Sequence, residues 1–142
     1  MKAIFNRIKK NLPIAVITFF TLLSCSTDEL QIQQDFSFEA AVMPVPSEIA
    51  KGGTAEIRVT IHRNGSYTGA KYFIRYFQYE GHGTLRYSDD PEYLPNDTYG
   101  LASEQFRLYY TSASSVSQSF DIWISDNFGN EKKLSFQFNN TD

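Results

Sequence analysis

Residues Ser119-Phe120-Asp121-Ile122-Trp123-Ile124-Ser125 lead through Asp126-Asn127-Phe128-Gly129-Asn130 into Glu131-Lys132-Lys133-Leu134-Ser135-Phe136-Gln137-Phe138. Phe120, Ile122 and Ile124 alternate with Asp121, Trp123 and Ser125, and Leu134, Phe136 and Phe138 alternate with Lys133, Ser135 and Gln137. A side-chain period of two belongs to a strand with one face against a core. The Asp-Asn-Phe-Gly-Asn run between the two segments is rich in residues that tolerate left-handed backbone, so it predicts a hairpin turn.

The same alternation extends back to Asp35. Phe36, Phe38, Ala40 and Val42 form a first row, ended by Pro44 and Pro46, which cannot donate to a ladder. Ala55, Ile57, Val59 and Ile61 form a second, followed by an Asn64-Gly65 turn. A third segment, Lys71 to Glu80, is apolar on both parities: Tyr72, Ile74 and Tyr76 on one, Phe73, Phe77 and Tyr79 with Lys71 and Arg75 on the other. Gly81-His82-Gly83 breaks it, Leu85 and Tyr87 suggest a short fourth strand, and Ser88 to Ala102 is expected to be a long loop. Phe106, Leu108 and Tyr110 define the fifth strand, and the segments quoted above are the sixth and seventh. The expected fold is all-β, a single immunoglobulin-like antiparallel β-sandwich of about seven strands over residues 36–142.

Nothing covalent is available to staple that sandwich. The 142 residues include one cysteine, so the cysteine–tryptophan–cysteine hallmark of antibody domains is absent. Aromatic mass takes its place: beyond residue 24 the chain keeps 19 of its Phe, Tyr and Trp residues. Each can bury about 150–250 Å².

The first 24 residues carry Lys2, Arg7, Lys9 and Lys10 and no acid. The other 9 of the 13 bases then face all 16 acids, a net of −7 for the remainder. An apolar stretch, Leu12 to Leu23, follows the basic start and is short for a bilayer span, which needs about 20 apolar residues. This is the layout of a secretory signal peptide. It closes on Leu22-Leu23-Ser24-Cys25, which resembles the lipobox of bacterial lipoproteins, with Leu23 bulkier than that pattern prefers. The only cysteine directly after the only apolar run points to lipidation of Cys25: the thiol forms a thioether, and cleavage frees its amine for acylation. Residues 25–35 then hold the lipidated cysteine and a polar, flexible tether. Ten tether residues reach at most about 33–36 Å.

Several function classes are excluded. His62 and His82 stand 20 residues apart with no soft ligand nearby, which argues against zinc. An acidic chain with scattered bases is not expected to bind nucleic acid directly. There is no Gly-x-Ser-x-Gly elbow, phosphate-binding glycine loop or His-Glu-x-x-His pair, so no catalytic residues, metal or cofactor are expected. Residues 89–97 hold enough oxygen donors for Ca²⁺, but their spacing is not that of an EF-hand, and a solvated acidic loop is the expected state. If the third, sixth and seventh strands share a sheet, Phe73, Phe77, Tyr79 and Trp123 point away from the core. They are then a candidate partner-binding face, unless the tether or the 88–102 loop folds over them.

Blocks along the chain carry a wider resemblance. Met43-Pro44-Val45-Pro46, Glu56-Ile57-Arg58, Ile74-Arg75-Tyr76-Phe77-Gln78, Leu94-Pro95-Asn96-Asp97, Phe106-Arg107-Leu108-Tyr109-Tyr110-Thr111-Ser112 and Asp126-Asn127-Phe128-Gly129 are similar to the TraQ family of conjugative transposons. The resemblance implies an immunoglobulin-like envelope component of a DNA-transfer apparatus whose partners are other proteins of that apparatus. It brings no catalytic residues, and it leaves the oligomeric state open. The expected location is the cell envelope, lipid-anchored at the outer membrane, on the periplasmic face. The alternative is a surface-exposed module that binds a glycan or a host protein.

Overall fold

A computed structural model describes residues 36–141; the signal peptide, Cys25 and the tether lie outside the described residues. Nine strands follow in order: β1 Phe38–Val42, β2 Glu48–Ile49, β3 Thr54–Arg63, β4 Tyr72–Glu80, β5 Gly83–Tyr87, β6 Tyr99–Leu101, β7 Gln105–Ser112, β8 Gln118–Asp126 and β9 Glu131–Asn140. They form a four-stranded sheet, β1-β3-β7-β5, and a five-stranded sheet, β2-β9-β8-β4-β6. All pairings are antiparallel except β2 on β9. The first sheet has the A-B-E-D order of an immunoglobulin sandwich, and β4, β8 and β9 stand where C, F and G do.

The seven expected strands are β1, β3, β4, β5, β7, β8 and β9; two short ones are added. β2 forms where the chain crosses from the first sheet to the second after Pro44 and Pro46. β6 forms inside the segment expected to be one long loop. That loop is folded onto the sandwich: Tyr93 is buried and stacks on Tyr99 with ring centroids 4.2 Å apart, and the Tyr99 hydroxyl accepts from the Leu94 amide at 2.9 Å. Asn64-Gly65 does not close a hairpin, because β3 and β4 belong to different sheets and the chain must cross between them.

Burial follows the period of two. Ile57, Leu108, Tyr110, Leu85, Ile74, Phe120, Ile122, Ile124 and Phe138 are fully buried. Tyr110 from one sheet stacks on Phe120 (4.4 Å) and Phe138 (5.6 Å) from the other, and Phe120 stacks on Phe136 (5.2 Å). Rings that bridge the sheets do what a disulfide does in antibody domains. A chain of polar groups enters this core: Gln78 Nε2 donates to the Tyr110 hydroxyl at 2.8 Å, and that hydroxyl donates to Gln118 Oε1 at 2.7 Å, while the buried Gln118 Nε2 has no hydrogen-bond partner among the described residues.

The Gly81-His82-Gly83 break lies over this chain and is a strand-to-strand turn. Gly81 has φ +69°, and a Cβ there would meet Gln118 Cγ at 2.6 Å; a Cβ on Gly83 would collide with the Tyr110 ring and hydroxyl. Both glycines are steric requirements of the buried polar cluster, and the His82 side chain is exposed. At the other turn, Asp126 Oδ1 accepts from the amides of Phe128 and Asn130 at 2.9 Å, and Gly129 takes φ +94°.

Candidate docking face

The outer face of the β4–β8–β9 sheet is built by the residues that alternate with the core rows. On β4 these are Phe73, Arg75 and Phe77; on β8 they are Asp121, Trp123 and Ser125; on β9 they are Glu131, Lys133 and Ser135. Register brings them together, with Phe73 opposite Ser125, Arg75 opposite Trp123, Phe77 opposite Asp121, and Trp123 opposite Lys133. Phe73, Phe77 and Trp123 are half-buried and Tyr79 is 57% exposed. All four aromatic residues expected on this face are on it.

Tyr79 sits at a local irregularity. The pairing of β4 with β8 slips between Gln78 and Glu80, so Tyr79 is the extra residue of a bulge. Its ring meets Phe77 edge-on at 5.1 Å, and its hydroxyl hydrogen-bonds Asp121. Asp121 is the residue that alternation alone misjudges, since it lies on the outward row yet is 8% exposed. Burial pushes its carboxyl up, but hydrogen bonds from Ser135, Tyr79 and Lys133 outweigh that and hold it below the usual aspartate value. The Lys133 ammonium lies 3.2 Å from it.

A depressed folded-state value means that this carboxylate stabilises the fold above the unfolded aspartate pKa of about 3.9, and that the contribution is lost as pH falls through the depressed value. Asp121→Asn is therefore expected to lower the melting temperature at pH 7 and to differ progressively less from the parent as pH drops towards 2. Thermal melts across pH 2–7 check this, and a pH-independent gap would refute it.

At the centre of the face the Arg75 guanidinium carbon stands 4.1 Å from the centroid of the Trp123 ring. Its Nη1 donates a long, 3.4 Å hydrogen bond to Asn96 Oδ1. Asn96 belongs to the connection between β5 and β6, and its amide donates to the Tyr76 carbonyl at 2.9 Å. That connection thus continues the line of β6 along the free edge of β4 rather than crossing the aromatic face. The signal for Arg75 was present in the sequence, where it shares a row with Phe73 and Phe77.

The opposite outer face, on β3 and β7, is of another kind. Glu56 takes both Arg58 and Arg107, which stand opposite each other, and Arg86 lies 5.7 Å from the Tyr109 ring. Its charges are largely matched within the sheet, and among the described residues no group of three His, Cys, Asp or Glu could hold a metal ion.

The family model for TraQ conjugal transfer proteins matches residues 10–141. The chain belongs to the TraQ family. Solved structures agree with the assignment. A crystal structure of a conjugative transposon lipoprotein from Bacteroides eggerthii is 47% identical, with a TM-score of 0.69, and the match covers 72% of this chain and 97% of that one. A solution structure of a lipoprotein from Bacteroides thetaiotaomicron is 50% identical at a TM-score of 0.70, covering 81% and 88%. A conjugate transposon protein from Bacteroides vulgatus is 44% identical at 0.66, covering 79% and 91%. No curated protein matches the chain. TraQ-family membership makes this chain a conjugal transfer component, and its lipoprotein neighbours imply association with the envelope.

Proposed function

We propose that this TraQ-family chain is a non-enzymatic, lipid-anchored structural component of a conjugative DNA-transfer apparatus, which docks another protein of that apparatus through the outer face of β4, β8 and β9. The observation that carries the reading is the gathering of Phe73, Phe77, Tyr79 and Trp123 around Arg75 on an outward face. Tryptophan, tyrosine and arginine are the residues over-represented where protein interfaces concentrate their binding energy. A sheet that only had to cover its own core would be served by threonines and ion pairs, which on the β3–β7 face surround a single ring, Tyr109.

Anchorage is through the lipid on Cys25, at the outer membrane with the domain in the periplasm. Two or more acyl chains hold firmly, at about 0.8 kcal/mol per buried methylene. Cys25→Ser is expected to move the protein from the membrane pellet to the soluble fraction, and protease added to intact cells is expected to leave the parent protein uncut. A Cys25→Ser variant that stays in the pellet at mature size overturns the anchor. Cleavage in intact cells overturns the periplasmic placement in favour of a surface module that binds a glycan or a host protein.

A further inference from the structure

Among the described residues, Arg75 is the cation of this face with no carboxylate within 4.0 Å. Arg58, Arg63, Arg107, Lys132 and Lys133 each stand within 4.0 Å of a carboxylate. Of the two acids on the outward rows, Asp121 is already taken by Tyr79, Ser135 and Lys133, and Glu131 lies opposite Ser125 and forms no ion pair with Arg75. The guanidinium of Arg75 is held over the Trp123 indole, and the one side-chain hydrogen bond it makes among the described residues is the long one to Asn96. Stacking fixes the plane of the guanidinium and leaves its edge, where the N–H donors lie, to meet a planar acceptor. Phe73 and Phe77 flank it two residues away on the same strand, so an anion arriving there is enclosed by apolar rings.

We infer that the partner presents a carboxylate to Arg75, set between apolar side chains that cover Phe73, Phe77 and Trp123. This rests on the docking role proposed above and adds the chemistry of the epitope. Guanidinium and carboxylate pair through two parallel N–H···O bonds, and docking the apolar flanks removes the water that would screen them. Without the partner the charge is tolerated because the indole face offsets part of its cost. The acid supplies register, and the rings supply the buried area.

The test uses donor cells in which the element's own gene is replaced by variants, with envelope abundance followed by immunoblot and transfer frequency as the readout. Arg75→Gln leaves a shorter, neutral side chain with an amide donor, and removes the charge together with the guanidinium fork. It is expected to cut transfer by at least about tenfold at normal abundance, with Arg75→Lys falling in between. Arg75→Glu is expected to be rescued by substitutions, selected among the other transfer genes, that replace an acid with a neutral or basic residue. Normal transfer by Arg75→Gln, with loss in the Trp123→Ala, Phe77→Ala double variant, leaves the docking face standing and overturns the carboxylate. Normal transfer by both sets overturns the docking reading itself. Rescue that maps only to substitutions far from any acid also overturns the carboxylate.

Discussion

Replacing Trp123 and Phe77 together with alanine is expected to lower transfer of the element by about 100-fold or more, while the domain still folds. Truncating one central aromatic anchor of an interface costs about 2 kcal/mol or more, so two remove a factor of roughly 1,000 in affinity if they act independently. Folding survives because both side chains leave from the outward rows. The inward neighbours Ile74, Tyr76, Ile122 and Ile124, which hold β4 and β8 to the core, are untouched. The free domain loses the part of the apolar area that these half-buried rings cover, and with it the Arg75–Trp123 stack, about 0.5–1 kcal/mol at an exposed site. It also loses the Phe77–Tyr79 edge contact, about 0.5–1.5 kcal/mol. A domain of ordinary stability, about 5–15 kcal/mol, tolerates that. The measurement pairs transfer frequency with a thermal melt of the purified domain, and normal transfer by a well-folded double variant refutes the docking face. A bilayer could also receive such a face, so the unlipidated domain is to be titrated with anionic phospholipid vesicles. Vesicle binding that the double variant loses would assign the aromatics to the membrane and refute the protein partner.

That surface could be reached from sequence because strand parity is a strict rule wherever the ladder is regular. Phe120, Ile122 and Ile124 on β8 fix Trp123 as outward, and Tyr72, Ile74 and Tyr76 on β4 do the same for Phe73 and Phe77. The rule loses force at irregularities. Nothing in Phe77-Gln78-Tyr79-Glu80 announces the bulge at Tyr79, and nothing on the outward row of β8 announces that Asp121 is buried under hydrogen bonds from Tyr79, Ser135 and Lys133. Two- and three-residue strands such as β2 and β6 are shorter than any period, and their pairing depends on partners distant in sequence. Leu101 sits opposite Tyr72, and Asn139 bonds the Ser47 carbonyl. The acidic stretch 89–97 looked like open loop because its prolines and acids hide Tyr93, whose burial depends on Tyr99 six residues on. Gln118 shows the same limit from inside. A glutamine on an inward row carries no visible sign that Tyr110 waits across the core to bond it.

Phe120→Ala is expected to be the most damaging single truncation for the fold, because this ring stands where the aromatic stacks meet. It is fully buried, 4.4 Å from Tyr110 in the opposing sheet, 5.2 Å from Phe136 and 6.1 Å from Phe138 in the neighbouring strand. Removing a buried phenylalanine costs about 3–5 kcal/mol, part of it transfer and part the cavity left behind. Collapse into that cavity is hindered on both sides. Tyr110 is held by its hydroxyl between Gln78 and Gln118, and Phe138 lies on a strand paired along its length to β8. With the chain's single cysteine at position 25, no disulfide within the chain limits the entropy gained on unfolding, so the loss falls on packing alone. At about 4–8 °C per kcal/mol for a domain of this size, the melting temperature should fall by roughly 15 °C or more. A thermal melt of the purified domain measures that fall and urea unfolding the free-energy loss, with Phe136→Ala, at the rim of the same stack and 7% exposed, expected to cost less. In cells the two kinds of variant separate cleanly: Phe120→Ala lowers transfer by lowering the amount of protein, whereas the Trp123 and Phe77 pair lowers it at constant amount. A loss below about 1 kcal/mol for Phe120→Ala, far under the usual cost, would show that the sheets are held together elsewhere than through their stacked rings.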